Sequence, residues 1–234
     1  MISKEDLSSN LDGINSRISI ACKEVDRDKD AVKLIPVSKV FPPEVLALAQ
    51  EIGVKYFGES YAQELKSKYE WFESNNLKQP EWHFIGHLQR NKVKYIAPFV
   101  HTIHAVDSLK LAKAINKEAI KSDRVINILL QVNTSEEESK YGFTDNELLS
   151  SVIEINNLSN VKINGLMTIA GLDATIDENI IEFRKLKEMK HKVSKLIDTE
   201  LKELSMGMSA DFEEAIKNGS TIVRVGSAIF GNRK

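Results

Sequence analysis

The sequence predicts a (β/α)8 barrel preceded by one additional helix. Eight short apolar segments recur along the 234 residues, and every one except the last is followed by a segment with helical spacing of apolar residues. Alternation of strands and helices indicates parallel pairing with right-handed crossovers. A chain of about 250 residues is the usual size of a barrel with eight such units. An open, doubly wound sheet is the alternative, because periodicity alone does not show closure.

The elements follow one another without a linker or a low-complexity tract, so we expect a single domain over residues 1–234. The additional helix begins after Ser3, which can cap a first turn that contains Glu5 and Asp6. The strand-like segments cover residues 32–39, 55–60, 81–86, 102–107, 127–133, 162–169, 202–207 and 221–230. The helical patterns between them are Glu44–Ile52, Tyr61–Phe72, His87–Tyr95, Leu109–Lys121, Asp145–Leu158, Glu178–Leu201 and Ala210–Lys217.

The composition is that of a globular protein with a full core, since apolar residues make up 42% and charged residues 28%. The formal net charge of −2 disfavours an electrostatic nucleic-acid or membrane partner. Cys22 is the only cysteine, which excludes an intrachain disulfide and suggests a reducing compartment. The N-terminus lacks the features of a signal peptide, and no apolar run approaches the roughly 18 residues of a membrane span. We therefore expect a cytoplasmic protein.

One arginine lies inside an apolar strand-like run near the end of the chain. Burying an unpaired guanidinium is costly, so Arg224 should have a dedicated partner. The run ends in Gly226-Ser227, and a second small-residue turn, Gly207-Met208-Ser209, lies one helix upstream. Phosphate sites of such barrels commonly lie beyond strands 7 and 8, where exposed backbone N–H groups bind the anion. The two turns therefore predict a phosphate site, with plain tight turns as the alternative.

Lys39 closes the first predicted strand shortly before Pro42-Pro43, so it should lie near the mouth of the barrel, where active sites of this fold are found. A desolvated lysine is a nucleophile suited to a Schiff base with an aldehyde. A solvated surface lysine is the alternative. Together with the phosphate site and the buried arginine, Lys39 indicates pyridoxal 5′-phosphate (PLP) as the cofactor.

Two other kinds of site find little support. Four histidines, at positions 83, 87, 101 and 104, are close in sequence, yet no HExxH or CxxC spacing is present. We therefore predict no metal site and expect packed or mouth-lining histidines. The segment Gly207–Asp211 begins like a nucleophile elbow but lacks its closing glycine.

The chain as a whole resembles the pyridoxal phosphate homeostasis protein family, the single-domain relatives of the alanine racemase barrel. The resemblance covers essentially the whole length, and several long motifs occur in the family's order. They are Val37-Ser38-Lys39, Phe57-Gly58-Glu59-Ser60-Tyr61, Trp82-His83-Phe84-Ile85-Gly86-His87-Leu88-Gln89, Gly165-Leu166-Met167-Thr168-Ile169, Ser205-Met206-Gly207-Met208-Ser209 and Val223-Arg224-Val225-Gly226-Ser227-Ala228-Ile229-Phe230-Gly231.

The resemblance assigns roles to these residues. It makes Lys39 the Schiff-base lysine and places Arg224 against the pyridine nitrogen. It also matches Lys140 to a mobile-loop lysine associated with cofactor handling. The phosphate would be held by Ser209, Gly226 and Ser227, and Met208 would line the pocket. Asn133 and Ser60 would lie beside the ring. Ser60 is a departure, because the family usually has an asparagine there and the shorter hydroxyl need not make the same contact.

The resemblance implies a non-catalytic carrier or buffer of PLP in vitamin B6 homeostasis. An arginine at the pyridine nitrogen makes the ring a weaker electron sink. Alanine racemase takes its second acid/base, a tyrosine, from a separate β-domain for which this chain has no residues left. We expect a monomer that passes PLP to PLP-dependent apoenzymes. An amino-acid racemase or other Schiff-base enzyme is the alternative, and a barrel that binds a phosphorylated metabolite without a covalent link is a third reading.

Overall fold

The barrel is present in the computed structural model, which describes residues 2–137, 140–171 and 174–231. Across these residues, eight parallel strands form one sheet in the order β1-β8-β7-β6-β5-β4-β3-β2. The strands are β1 (Lys33–Pro36), β2 (Tyr56–Glu59), β3 (Glu81–Phe84), β4 (Thr102–Val106), β5 (Ile126–Gln131), β6 (Val161–Met167), β7 (Glu203–Ser205) and β8 (Ile222–Val225).

The sheet closes on itself, which confirms the barrel and excludes the open, doubly wound alternative. The first strand pairs in parallel with the last, with Ile35 opposite Arg224. Between β1 and β2 the pairing continues through a parallel bridge of Val37 to Gly58. Here the N–H of Ser38 donates to the carbonyl of Gly58 at 3.0 Å.

Helices surround this sheet, and several start where their sequences provide a cap. They are α1 (Lys4–Lys23), α2 (Pro43–Glu51), α3 (Ala62–Ser74), α4 (Val93–Ile96), α5 (Leu109–Lys121), α6 (Asp145–Asn156), α7 (Ile176–Leu196), α8 (Phe212–Lys217) and α9 (Ser227–Phe230). Ser3 caps α1 by accepting the N–H of Asp6. Capping boxes start α6 at Thr144 and α7 at Thr175. Along the described part of the chain, no helix has the length and apolar character of a membrane span.

Two predicted elements were wrong in extent. The predicted helix His87–Tyr95 is reduced to a 3-10 turn at Arg90–Lys92 and the short α4. The preceding His87 is held elsewhere, because its Nδ1 lies 3.1 Å from Asp107 Oδ2 and its ring stacks on Tyr141 at 3.8 Å. Tertiary contacts of this kind override a local helical pattern.

The strand predicted for residues 221–230 is also too long. β8 stops at Val225, and the last four residues of the predicted strand form α9 instead. Gly226 marks the change of direction. A Cβ at Gly226 would lie 3.3 Å from the Cβ of Val37, so the two backbones approach closely. The apolar residues that looked like a continued strand instead pack as a helix, with Phe230 against Phe41 at 5.1 Å between ring centroids.

The core lies mainly between the sheet and the helices, as expected for this fold. A second, smaller apolar cluster lies inside the barrel and consists of Ile35, Ala105, Leu129, Met167 and Ile222. Buried polar side chains also occur there, among them His83, His104, Ser205 and Arg224. Hydrogen bonds link these four side chains across β3, β4, β7 and β8, and Arg224 at the end of this series lines a cavity.

Candidate functional site

A cavity of about 540 Å³ opens at the carboxyl ends of the strands, and we call it the strand-end cavity. Seven of the eight residues predicted for the site line it: Lys39, Ser60, Met208, Ser209, Arg224, Gly226 and Ser227. The apolar remainder of the wall is Val37, Ile85 and Ile169. Its volume lies within the range of ordinary small-molecule sites. The fold therefore gathers residues from all six of the quoted motifs around one space.

Lys39 lies half-buried on a tight turn that follows β1. The N–H of Phe41 closes this turn on the carbonyl of Ser38 at 3.1 Å. Val40, at its tip, has a φ of 67° in the left-handed region. The N–H of Val40 donates to Glu64 Oε1 at 2.6 Å. The turn that presents Lys39 is thus anchored on both sides of the lysine.

A buried ion network supports this turn from below. Lys68 Nζ donates to the carbonyl of Ser38 at 2.8 Å, to Glu59 Oε1 at 2.6 Å and to Glu64 Oε1 at 2.7 Å. Ser38 Oγ donates to the same Glu59 oxygen at 2.6 Å. Burial raises the pKa of Glu59, although the charge of Lys68 opposes the shift. Sequence reasoning missed Lys68, because it looks like any other lysine of an exposed helix.

Arg224 has the dedicated partners that the sequence analysis predicted, and both are neutral oxygens. Its Nη1 donates to Ser205 Oγ at 2.7 Å, and its Nη2 donates to the carbonyl of Thr168 at 2.9 Å. Burial lowers the pKa of Arg224 to about 10, against the attraction of the Asp211 carboxylate. The guanidinium is therefore still cationic at neutral pH. A fixed positive charge held by neutral groups can interact with a lone pair or an anion in the cavity.

The two small-residue turns meet at one side of the cavity. The N–H of Gly226 lies 3.4 Å from Ser209 Oγ, and Ser227 Oγ lies 3.5 Å from the same oxygen. The N–H of Met208 donates to Asp211 Oδ1 at 2.6 Å, which fixes the turn before Ser209. Hydroxyls and backbone N–H groups close together are the donors that bind a phosphate. This arrangement fits the predicted phosphate site.

Ser60 is brought to the cavity by a close approach of two loops. A Cβ at Gly86 would lie 2.4 Å from the carbonyl oxygen of Ser60, so only glycine fits at this position. The loops after β2 and β3 consequently touch at Ser60. This close approach explains the glycine at position 86. The contact that the Ser60 hydroxyl makes with a ligand stays a prediction.

The eighth predicted residue, Asn133, lines a different space. A neighbouring cavity of about 810 Å³, the loop cavity, is bordered by Asn133 and Lys140 and shares Ile169 with the strand-end cavity. Asn133 Nδ2 donates to the carbonyl of Glu137 at 2.9 Å. Lys140 Nζ pairs with Glu137 Oε1 at 2.7 Å. The structure thus holds both residues in one loop and does not place Asn133 with the other seven.

Ser205 and Thr168 are the partners of Arg224, and they were not among the predicted site residues. Ser205 Oγ also lies 2.9 Å from His104 Nδ1, and His104 Nε2 lies 2.9 Å from His83 Nδ1. Burial is the main cause that lowers the pKa of both histidines well below 6.5. The expectation of packed histidines is confirmed for these two. Strand alternation could have pointed to Ser205, because it is a polar residue on an inward-facing position.

Comparison with known proteins shows which family and which fold this chain shares. Residues 10–234 match the sequence family described as "Alanine racemase, N-terminal domain". An alanine racemase of Clostridium difficile has the same fold, with a TM-score of 0.71 at 18% identity, and the match covers 98% of this chain and 57% of that one. The structure of PipY from Synechococcus elongatus with PLP bound gives a TM-score of 0.85 at 30% identity, over 96% of this chain and 100% of that one.

A "Pyridoxal phosphate homeostasis protein" of Aquifex aeolicus is 42% identical over 225 residues, which are 96% of this chain and 97% of that protein. Both the sequence match and the structural match therefore extend over nearly the full length. The motifs that line the strand-end cavity lie within the matched residues. The chain belongs to the pyridoxal phosphate homeostasis protein family, whose barrel is that of the alanine racemase N-terminal domain.

Proposed function

We propose that this protein binds PLP in the strand-end cavity and acts as a non-catalytic carrier or buffer of the cofactor in vitamin B6 homeostasis. The observation that carries the proposal is the grouping of Lys39, Arg224 and the turn around Ser209 on one cavity of about 540 Å³. An amine, a guanidinium and a phosphate-binding turn match the aldehyde, the ring nitrogen and the phosphate of PLP. A relative whose structure contains PLP supports binding of this cofactor.

Each residue has a defined task in this proposal. Lys39 would link the aldehyde covalently, and Arg224 would face the ring nitrogen. Ser209, Gly226 and Ser227 would hold the phosphate, with Met208 and Ser60 completing the wall. When bound, PLP supplies an electrophilic carbon that amines attack, and the cavity would keep that carbon away from other cellular amines. Asn133 would reach the cofactor only after its loop rearranges.

The ionisable groups of the cavity support a carrier rather than an enzyme. Among the described residues that line it, Lys39 and Arg224 are the ones with ionisable side chains. Arg224, with a pKa of about 10, is a weak proton donor at neutral pH. Racemisation needs proton transfer on both faces of a substrate, and efficient donors have a pKa near the working pH. The described residues of the wall therefore offer one amine, Lys39, for proton transfer and no second group for the opposite face.

The first experiment is an absorption spectrum of the purified protein, followed by borohydride reduction and mass analysis of its peptides. We expect a PLP band that reduction converts, and a pyridoxyl group on Lys39. Lys39→Ala should lose the covalent adduct, while Lys113→Ala, an exposed lysine paired with Glu154, should keep it. A protein that shows no band after incubation with PLP would contradict the proposal.

The carrier role is tested separately by chiral chromatography of amino acids incubated with the PLP-loaded protein. We expect no interconversion of enantiomers above the level of free PLP. We also expect transfer of PLP to an added PLP-dependent apoenzyme, measured as recovered activity. Racemisation that disappears in Lys39→Ala would establish the enzyme alternative instead.

A further inference from the structure

Three potential metal ligands meet at the end of the barrel opposite the strand-end cavity. Glu81 opens β3, His83 follows on the same strand, and His101 immediately precedes β4. One ligand atom from each of the three lies within 4.8 Å of the others. His101 Nε2 and Glu81 Oε2 are 3.3 Å apart. Two ligands on one tetrahedral zinc ion are separated by about 3.3–3.5 Å, given Zn–N and Zn–O bonds of roughly 2.0–2.2 Å.

The third ligand brings an independent observation. His83 is 1% exposed, and in the described part of the chain its Nε2 is a buried atom without a hydrogen-bond partner. Leaving such an atom unpaired is unfavourable, and native proteins rarely do so without an ion or a water at the site. Its other ring nitrogen is already engaged with His104 Nε2 at 2.9 Å. His83 therefore has one ring nitrogen left to bind a ligand.

The surroundings orient both histidines as metal ligands usually are. His101 Nδ1 lies 2.9 Å from Thr102 Oγ1, just as His83 Nδ1 lies beside His104. Metal-binding histidines typically engage their second ring nitrogen in this way. A metal on His83 Nε2 keeps the ring proton on Nδ1, from where it can donate to His104.

Charged side chains of both signs surround the three potential ligands. The cation Lys33 lies near both histidines, and its Nζ is 4.0 Å from Glu203 Oε1 and 5.2 Å from the centre of the Tyr56 ring. The Tyr56 ring meets His83 edge-on at 5.9 Å. Arg124, in the connection between α5 and β5, also repels a positive charge on His101 electrostatically. The Glu81 carboxylate supplies the negative charge within the cluster itself.

We propose that Glu81, His83 and His101 form a binding site for a divalent transition-metal ion, with Zn²⁺ the best match. Two imidazoles and one carboxylate are donors that suit zinc, whereas calcium and magnesium prefer all-oxygen sites. The side chains of Glu81 and His101 are 47% and 41% exposed, so the ion enters from solvent and a water completes its coordination. The site is separate from the PLP site and does not depend on it.

The sequence concealed this site because its ligands lie on two neighbouring strands. Motifs such as HExxH describe ligands one turn apart on one helix. Here parallel pairing sets His83 opposite Thr102, the residue after His101. Local spacing carries no information about that pairing. We expected no metal site because those motifs are absent, but a site built from two neighbouring strands does not require them.

Metal binding is tested on the full chain after removal of metals with a chelator. Zn²⁺ is titrated by calorimetry, and Co²⁺ by its visible absorption. We expect one ion per chain and an intense Co²⁺ band typical of tetrahedral coordination. Glu81→Gln and His101→Asn should each weaken binding at least about tenfold. Both residues lie at the surface, so these variants should fold, which circular dichroism would verify.

Two matched variants make the result decisive. His191→Asn removes an exposed histidine on α7 and should leave metal affinity unchanged. Lys39→Ala should also bind the metal normally, which separates this site from chelation by PLP. Absence of saturable binding would overturn the proposal. So would binding that survives in both Glu81→Gln and His101→Asn.

Discussion

At the residue scale, Val40 is the most unusual backbone position near the site. A β-branched residue with positive φ is rare, because its side chain crowds the following carbonyl. Val40 adopts a φ of 67° next to Lys39, and its N–H is held by Glu64. Strain of this kind persists where surrounding contacts impose it, and it is often found at functional sites. The contacts around Val40, Glu64 among them, therefore hold the turn that presents Lys39 in a strained conformation.

Val40→Gly is expected to stabilise the protein. A left-handed conformation costs an L residue about 1–2 kcal/mol, while glycine loses roughly 0.5–1 kcal/mol of backbone entropy. Val40 is 55% exposed, so little packing is lost, and the free energy of unfolding should rise by about 0.5–1 kcal/mol in urea titrations. Val125→Gly, 57% exposed and outside the positive-φ residues, should instead lower it. Equal losses in both variants would show that Val40 is unstrained.

At the element scale, α3 does more than cover the barrel. Its Lys68 reaches under the first strand–helix connection and joins Ser38, Glu59 and Glu64. The Lys68 and Glu59 side chains are 4% and 0% exposed. Removing one member of such a buried pair leaves the other charge without compensation. The position of Lys39 thus depends on a helix that does not line the cavity.

Lys68→Met should destabilise the protein by about 3–5 kcal/mol at neutral pH, as measured by urea unfolding. The matched control is Lys66→Met on the same helix, whose exposed pair with Glu70 should contribute less than about 1 kcal/mol. A similar small effect for both variants would mean that the buried pair contributes little. Weaker retention of PLP by Lys68→Met would further indicate that the network positions Lys39.

The loss in Lys68→Met should also depend on pH. Burial already raises the pKa of Glu59, and Lys68 opposes that shift. Without Lys68 the pKa of Glu59 rises further, so the folded state binds more protons than the unfolded state above pH 4.5. The free energy of unfolding of Lys68→Met then falls as pH increases towards the raised pKa of Glu59. The difference between wild type and Lys68→Met should be smaller at pH 5 than at pH 7.5, and a constant difference would contradict this cause.

At the scale of the whole molecule, α1 joins the two ends of the chain. It packs against α2, α8 and α9. Asn10 Nδ2 donates to the carbonyl of Ile229 at 2.9 Å, and Arg17 Nε donates to Glu213 Oε1 at 2.6 Å. These contacts attach the additional helix to the elements around the turns at Ser209 and Gly226. Opening of α1 should therefore accompany loosening of the last strand–helix unit.

Cys22 reports on this packing. It is 1% exposed near the end of α1, and burial raises the pKa of its thiol. Because the thiolate is the reactive form, Ellman's reagent should label the native protein slowly and label it quickly once urea unfolds it. Ser19→Cys adds an exposed thiol on the same helix and should react at once. Rapid native labelling of Cys22 would show that α1 detaches without global unfolding.

The sequence alone determined the repeating strand–helix unit and the approximate positions where the first seven strands end. These depend on periods of two and 3.6 residues and on capping residues, which are local properties. They were sufficient to bring Lys39, Arg224 and the turns at Ser209 and Gly226 to one end of a barrel. The same reasoning misjudged residues 221–230, because an apolar run without clear periodicity is compatible with both a strand and a helix.

The tertiary structure decided which side chains meet. Neutral oxygens of Ser205 and Thr168 hold Arg224, and a lysine from α3 supports the turn of Lys39. Asn133 was assigned to the ring from resemblance, yet its loop faces the adjoining cavity. Such contacts arise only when β1 closes against β8 and each inward-facing residue acquires neighbours from strands far away in sequence. Closure of the barrel is a long-range event, and local sequence periodicity does not encode the pairs it creates.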